Sequence, residues 1–131
     1  MKQIIPKVKY EPLERQITHS IIEYLNYQGF YVWKSNTGAM ELPNKNGTSR
    51  LVRFGKAGMS DIIGLQRGTG RFVALEVKRP STRNRTTTAQ DSFLALVKEY
   101  GGIAGVVTSI DDVKEKLKEK SWISICATRE L

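Results

Sequence analysis

Asp61-Ile62-Ile63-Gly64-Leu65-Gln66 and Phe72-Val73-Ala74-Leu75-Glu76-Val77-Lys78 are the two stretches that decide the fold of this chain. Each is a short run rich in apolar residues, which is typical of a β-strand with a buried face. The connection Arg67-Gly68-Thr69-Gly70-Arg71 is short and rich in glycine, as hairpin connections are. The two stretches therefore predict an antiparallel hairpin with one acidic residue in each strand.

The register of this hairpin decides whether its two acidic residues meet. A two-residue turn at Gly68-Thr69 places Asp61 directly opposite Glu76, with their Cβ atoms about 5 Å apart. A slip by two residues leaves the carboxylates as diagonal neighbours on one face, and a three-residue loop puts them on opposite faces. The sequence leaves these three registers open.

Two carboxylates held together in an apolar hairpin need a compensating cation. Lys78 lies on the same strand face as Glu76 and is one candidate. A divalent ion is a better candidate, because hard oxygen ligands suit Mg²⁺ or Mn²⁺. A solvated cluster of surface charges is the alternative. Against it, Asp61 begins one apolar run and Glu76 ends the other, and α/β proteins build their sites at the ends of buried strands.

The rest of the pattern surrounds this hairpin with helices and further strands. Residues 12–28, 89–100 and 110–120 predict helices, and the first two end at glycines. Strands are predicted at residues 30–33, 51–54, 103–107 and 121–126, whereas residues 36–47 are rich in turn formers. The order predicts an α/β fold, in which a mixed central β-sheet is flanked by helices. No repeat or linker divides the sequence, so we expect residues 1–131 to form a single domain.

The positive charge of the chain is concentrated in one part of the sequence. Lys and Arg number 21 against 13 Asp and Glu, which gives a formal net charge of +8. Residues 98–131 contain six charges of each sign, so the whole surplus lies in residues 1–97. Such a concentrated surplus favours a surface that faces a polyanion such as DNA, although an idle basic surface would have the same composition.

Other composition features exclude several classes of protein. The single Cys126 cannot form an internal disulfide, and one cysteine with one histidine, His19, argues against a zinc site. No charge-free stretch is long enough to span a bilayer, and the N-terminus has no apolar signal segment. We therefore expect a cytoplasmic protein with no membrane partner.

Two polar residues lie on helix faces that are otherwise apolar. Glu14 falls on the core-facing stripe of the first helix, where it either joins the acidic pair or provides favourable charge at a helix N-terminus. Gln90 also points inward on the second helix. It either faces the site or completes a capping box with Thr87, and the sequence fits both interpretations.

Two segments resemble motifs of the VRR-NUC family, which belongs to the PD-(D/E)XK nuclease superfamily. They are Gly55-Lys56-Ala57-Gly58-Met59-Ser60-Asp61-Ile62-Ile63-Gly64, similar to G-x-x-G-x-x-D-I, and Glu76-Val77-Lys78-Arg79-Pro80, similar to E-V-K-x-P. The resemblance extends over about residues 11–120, including Asn36-Thr37-Gly38, and departs at Ser60, where the superfamily name has proline. It implies a restriction-endonuclease-like core and metal-dependent hydrolysis of phosphodiester bonds.

The resemblance also implies a role for each site residue. The metal, Mg²⁺ or Mn²⁺, would be bound by Asp61, Glu76, the backbone carbonyl of Val77 and, directly or through water, Glu14. Lys78 would orient or activate the attacking water, and Gln90 would sit beside Lys78. DNA contacts are expected from the basic excess and its polar neighbours, namely Lys34, Asn36, Arg50, Arg53, Lys56, Arg79, Arg83 and Arg85.

The function expected from this resemblance is that of an endonuclease acting on branched DNA, similar to Holliday-junction resolvases that work as homodimers. Trp122, Ile123 and Ile125 are candidates for the dimer interface, or for an edge strand packed on the core. Alternatives are a flap-cutting, exonucleolytic or nicking nuclease of phage DNA metabolism, and a catalytically silent DNA-binding module with the same fold.

Overall fold

The computed structural model of the protein describes residues 10–36 and 38–119. Three helices are present in these ranges: α1 (Glu14–Tyr27), α2 (Thr88–Glu99) and α3 (Ile110–Lys118). The strands are β1 (Tyr31–Lys34), β2 (Gly38–Pro43), β3 (Ser49–Phe54), β4 (Ile62–Leu65), β5 (Phe72–Val77) and β6 (Ile103–Val107). A single 3₁₀ turn, Pro80–Thr82, follows β5. The predicted strand at residues 121–126 and the interface residues Trp122, Ile123 and Ile125 lie outside the described residues.

Four strands form a mixed central sheet in the order β1-β4-β5-β6. The pairs β1–β4 and β4–β5 are antiparallel, and β5–β6 is parallel. The α2 helix connects the two parallel strands, as a parallel crossover requires. This arrangement confirms the predicted α/β fold with a mixed sheet flanked by helices.

The sheet is covered on both faces, because alternate residues of β5 pack against different helices. Val73, Leu75 and Val77 belong to a core cluster that includes residues of α1 and Val113 of α3. Ala74, on the opposite face, packs with apolar residues of α2. Glu76 follows the same alternation and lies on the α2 face, where it is buried. The acidic residue of β5 is therefore enclosed by the fold.

The β4–β5 hairpin has the register that brings its acidic residues together. Ile62 pairs with Leu75, and extending this register by one residue sets Asp61 opposite Glu76. The register is the one predicted for a two-residue turn. The connection itself is wider, because the Gln66 N–H still donates to the Arg71 carbonyl and leaves residues 67–70 as the loop.

Residues 36–47 are rich in turn formers and the sequence predicts no strand there, yet they contain one. Gly38–Pro43 is a strand, β2, which pairs with β3 in a separate two-stranded sheet from Gly38↔Phe54 to Pro43↔Ser49. The turn itself lies at the tip, where the Asn44 N–H donates to the Thr48 carbonyl. Glycine and proline obscured the strand signal, and the pairing with β3 supplies the hydrogen bonds that decide the structure.

Within the two described ranges, no helix has both the length and the apolar content needed to cross a membrane.

Candidate active site

Asp61 stands directly before β4 and is fixed by hydrogen bonds on both sides. Its Oδ2 accepts a hydrogen bond from the Val77 backbone N–H at 2.8 Å, which ties it to the end of β5. Its carbonyl accepts one from the Ser35 N–H at 2.7 Å, which ties it to the end of β1. The position of the carboxylate is therefore set by two neighbouring strands of the sheet.

The loop that leads into Asp61 packs closely on the start of α2. Gly58 in this loop has φ +76°, and a Cβ built on it would lie 2.4 Å from the Ala89 carbonyl oxygen. Only glycine combines this backbone conformation with so close an approach. The first half of the predicted G-x-x-G-x-x-D-I motif thus has a structural explanation, since it lets the loop reach α2 before the chain enters β4.

Glu76 is the most deeply buried charged residue of the site, with 3% of its surface exposed. Its Oε1 accepts a hydrogen bond from Gln90 Nε2 at 2.8 Å and lies 3.7 Å from Lys78 Nζ. Its Oε2 is buried and, among the described residues, has no hydrogen-bond donor. A buried carboxylate oxygen without a partner is energetically costly and suggests a group that the protein alone does not supply.

The environment of Glu76 favours its protonated form. Burial raises the pKa of this carboxyl from 4.5 to about 8, and the charge of Asp61, to which only the protonated carboxyl can donate a hydrogen bond, acts in the same direction. Lys78 opposes the rise in pKa. At neutral pH the pair therefore retains a proton unless another cation occupies the site.

Gln90 satisfies both interpretations of its position. Its Oε1 accepts from the Thr87 N–H at 2.9 Å, and Thr87 Oγ1 accepts from the Gln90 N–H, which completes a capping box at the start of α2. Its Nε2 donates to Glu76 at the same time. The amide group is thus held by the helix start, and it orients the Glu76 carboxylate as well as lying near Lys78.

Lys78 lies on the same side of the strand as Glu76, just beyond the end of β5. Its backbone N–H donates to the Val107 carbonyl, which prolongs the parallel pairing with β6. Its side chain is 15% exposed, so the ammonium group reaches the site from a largely enclosed position.

Glu14 does not join this pair. Residues 10–36 and 38–119 contain no group of three or more Asp, Glu, His or Cys side chains placed to hold a metal ion. Glu14 is exposed as the first residue of α1, where its negative charge is favourable near the helix N-terminus. The prediction from the helical wheel is wrong here. Glu14 has the angular position of the apolar face, but it lies at the very start of α1, where its side chain is exposed to solvent.

The residues present fit a divalent ion of the magnesium type. Mg²⁺ is commonly held by one or two carboxylates and keeps several of its waters, so a third side chain is not needed. Asp61 and Glu76 supply hard oxygen ligands. The buried Oε2 of Glu76 has no hydrogen-bond partner among the described residues and is therefore available to bind a metal ion. The contribution of the Val77 carbonyl stays a prediction.

Two of the predicted DNA-contacting arginines are engaged within the protein. The Arg79 guanidinium donates to the carbonyls of Pro12 and Glu11 at 3.1 Å and lies 3.3 Å from the Glu11 carboxylate. Arg83 forms an ion pair with Asp112 at 3.1 Å, although half of its side chain is exposed. We therefore correct the assignment of Arg79, which ties the end of β5 to the segment before α1.

The remaining predicted contacts lie on the surface. Arg85 is exposed and forms no ion pair with a described residue. The other members of this set are exposed as well, namely Lys34, Asn36, Arg50, Arg53 and Lys56.

Sequence reasoning missed two residues near the site. Glu11 holds Ser81 as well as Arg79, accepting hydrogen bonds from the Ser81 N–H and Oγ. Ser60, beside Asp61, is 1% exposed and its Oγ has no partner among the described residues. The separation of about 70 residues between Glu11 and Ser81 gives no pattern from which their contact could be predicted.

The sheet brings two carboxylates and a lysine together at adjacent strand ends, and the family whose model matches this chain is one of nuclease-type, DNA-processing domains. The model of the VRR-NUC domain matches residues 11–111 of the 131-residue chain, and the protein belongs to the VRR-NUC family. The match confirms the resemblance drawn from the two motifs and includes both carboxylates, Lys78 and Gln90. No curated protein matched the sequence.

Proposed function

We propose that the protein is a Mg²⁺- or Mn²⁺-dependent deoxyribonuclease that cuts phosphodiester bonds within branched DNA. The observation that supports this proposal best is the buried Glu76 beside Asp61, with Oε2 lacking a partner among the described residues. Two neighbouring carboxylates that are both ionised repel each other unless a cation lies between them. A divalent ion of the magnesium type binds hard oxygen ligands and would offset this repulsion.

In this proposal Asp61, Glu76 and the Val77 carbonyl hold the ion, which when bound lowers the pKa of a water and polarises a phosphate oxygen. Lys78 places its ammonium group at the same pair, where it orients the attacking water and balances the negative charge that builds on the phosphate. Gln90 keeps Glu76 Oε1 in a hydrogen bond, so that Oε2 remains directed to the site.

The choice of branched DNA and of a homodimer rests on the resemblance to small stand-alone members of the family, and the single acidic pair supports it. One domain formed by residues 1–131 offers one such pair among its described residues, whereas paired incisions at a four-way junction need two sites related by a two-fold axis. We therefore propose a Holliday-junction-resolvase-like homodimer that acts in the cytoplasm of its host cell.

The test is incubation of the protein with labelled four-way junction, flap and linear duplex DNA in Mg²⁺, Mn²⁺ or EDTA. We expect symmetric cuts near the junction centre with either metal and none in EDTA. Preferential cutting of the flap or of DNA ends would replace the junction with the flap or exonuclease alternative. Binding without cutting of any substrate in either metal would contradict the enzyme and leave a silent DNA-binding module.

A further inference from the structure

The β2–β3 ribbon, formed by Gly38–Pro43 and Ser49–Phe54, is a feature that the acidic site does not explain. Its two strands pack extensively only on each other. All of its residues are exposed except Leu42 and Val52, which are half-buried. An isolated two-stranded hairpin is at best marginally stable in water, so a ribbon with these exposures gains from a partner.

One face of the ribbon carries four of its large apolar residues, together with Arg50, which pairs with Leu42. Met40 pairs with Val52, and the alternation of the strands puts Leu42 and Phe54 on the same face. Met40 is 51% exposed and Phe54 43% exposed. Exposed apolar groups collected on one face are characteristic of an interaction surface.

The charges of the ribbon select the kind of partner. Lys45, Arg50, Arg53 and Lys56 lie on or next to the two strands, against the single acidic residue Glu41. All four cations are exposed, and none of them forms an ion pair with a described residue. An unneutralised surplus of this kind is complementary to a polyanion.

Both ends of the ribbon are rooted at the acidic site. Before the ribbon, the Ser35 N–H donates to the Asp61 carbonyl, and after it Gly58 packs against Ala89 of α2. A cleft of about 360 Å³ at the base is lined by Arg53, Phe54 and Lys56 among others. The ribbon therefore joins the body of the protein through the segments that hold Asp61 in place.

From these observations we propose that the ribbon is an arm that lies in the major groove of duplex DNA beside the cleavage site. Six residues per strand span roughly 20 Å, and the paired strands are about 5 Å apart, which fits a groove about 12 Å wide. The inference rests on the proposed function and restricts the class of DNA that the enzyme can cut. The DNA must have a double-stranded arm of roughly six base pairs next to the cut, given a rise of about 3.4 Å per pair.

The test compares the affinity of wild type and Lys45→Ser/Arg50→Ser for a forked DNA with a 16-base-pair arm and for a single strand of equal length. Both residues are near the far end of the ribbon, away from the acidic pair. Binding is measured by fluorescence anisotropy in EDTA between 50 and 200 mM salt. Lys98→Ser/Lys114→Ser removes the same charge from α2 and α3 and is the matched control.

We expect the ribbon variant to reduce the slope of log affinity against log salt by about 2 on the forked DNA, because two phosphate contacts are lost. Between 50 and 200 mM salt, the factor by which affinity decreases should then be about ten times smaller for the variant than for wild type. On the single strand the two proteins should have similar slopes. An unchanged slope on the fork, or an equal reduction in the control variant, would overturn the assignment.

A second measurement addresses the apolar face. If Met40→Ser/Phe54→Ser separates a dimer in sedimentation while Lys45→Ser/Arg50→Ser binds DNA like wild type, the ribbon is an interface between two copies and the DNA arm is rejected. Failure of the proposed function is distinguishable, since it appears as absent cleavage by wild type, whereas the affinity in EDTA does not depend on cleavage.

Discussion

The two antiparallel hairpins within residues 38–77 are built from similar lengths of chain and have opposite environments. The β4–β5 hairpin lies in the centre of the sheet, and the strand residues Ile62, Val73, Ala74 and Leu75 are almost completely buried. The β2–β3 ribbon is exposed along nearly its whole length. Burial makes the charges of the first hairpin costly, so their position is strictly determined, whereas the charges of the second are cheap and available to a ligand.

The difference teaches where chemistry and where binding can be placed. In the buried hairpin, burial and the neighbouring charge of Asp61 raise the pKa of Glu76 to about 8. The Oε2 atom of the same carboxyl has no hydrogen-bond partner among the described residues. In the exposed ribbon Lys45, Arg50, Arg53 and Lys56 lie in contact with water, where a binding partner can reach them. The predictions below test this contrast from the largest expected effect to the smallest.

Removing either carboxylate of the buried hairpin should abolish cleavage. Asp61→Asn and Glu76→Gln keep the size of the side chain, and Asn can still accept from the Val77 N–H, so folding should be retained. Loss of the ion and of its several kcal/mol of charge stabilisation predicts a fall in rate of about 10³-fold or more. Single-turnover cleavage in Mg²⁺ measures the rate. Two variants that both cut at the wild-type rate would disprove the site.

A methyl group at the loop that delivers Asp61 should be far more harmful than one at the tip of the ribbon. Gly58→Ala meets the Ala89 backbone and also suffers from a positive φ, so we expect a loss of about 3 kcal/mol in the free energy of unfolding. Gly47→Ala has φ +83° but nothing within 4 Å, and should cost about 1 kcal/mol. Urea denaturation measures both. Equal losses would mean that packing on α2 does not fix the loop.

The buried pair should make stability depend on pH. Because the pKa of Glu76 is raised to about 8 in the folded state, its penalty is absent below the unfolded pKa near 4.5 and grows as pH rises to about 8. The metal-free protein should therefore lose roughly 1 kcal/mol per pH unit from this group in the middle of that range. Glu76→Gln should lack this loss.

The measurement is chemical denaturation in EDTA from pH 5 to 8, read as the difference between the two proteins, so that groups common to both cancel. Addition of Mg²⁺ at pH 8 should recover stability in wild type and leave Glu76→Gln unchanged. If the stability of both proteins changed with pH in the same way, the pKa of Glu76 would not be raised in the folded protein.

The arginines after β5 should separate into a binding residue and a structural one. Arg85→Ala should lower the slope of log affinity for DNA against log salt by about 1, since one phosphate contact is lost. Arg83→Ala should act mainly on stability, because it deprives Asp112 of an ion pair.

Thr108 and Arg83 keep the pKa of Asp112 low despite its partial burial, and this stabilising effect is lost as pH falls through that pKa. Identical effects of both variants on DNA affinity would contradict the distinction.

Much of the fold could be predicted from the sequence because its determinants are local. The apolar alternation of β5 and the glycines that end α1 and α2 report directly on periodicity and backbone conformation. The β2 strand could not be predicted, since its residues have weak strand signals and are held by pairing with β3. Gln90 shows the intermediate case, in which the sequence offered two hydrogen-bond patterns and only the packing of α2 on β5 revealed that both are made.

By itself, the sequence determined the α/β class, the VRR-NUC motifs and the acidic hairpin, because these depend on the order and spacing of residues along the chain. The tertiary structure alone decided that Glu14 points to solvent, that Arg79 is held by Glu11, and that Glu76 Oε2 is enclosed without a partner among the described residues. These features depend on burial and on contacts between residues far apart in sequence, and such contacts leave no periodic trace in the chain.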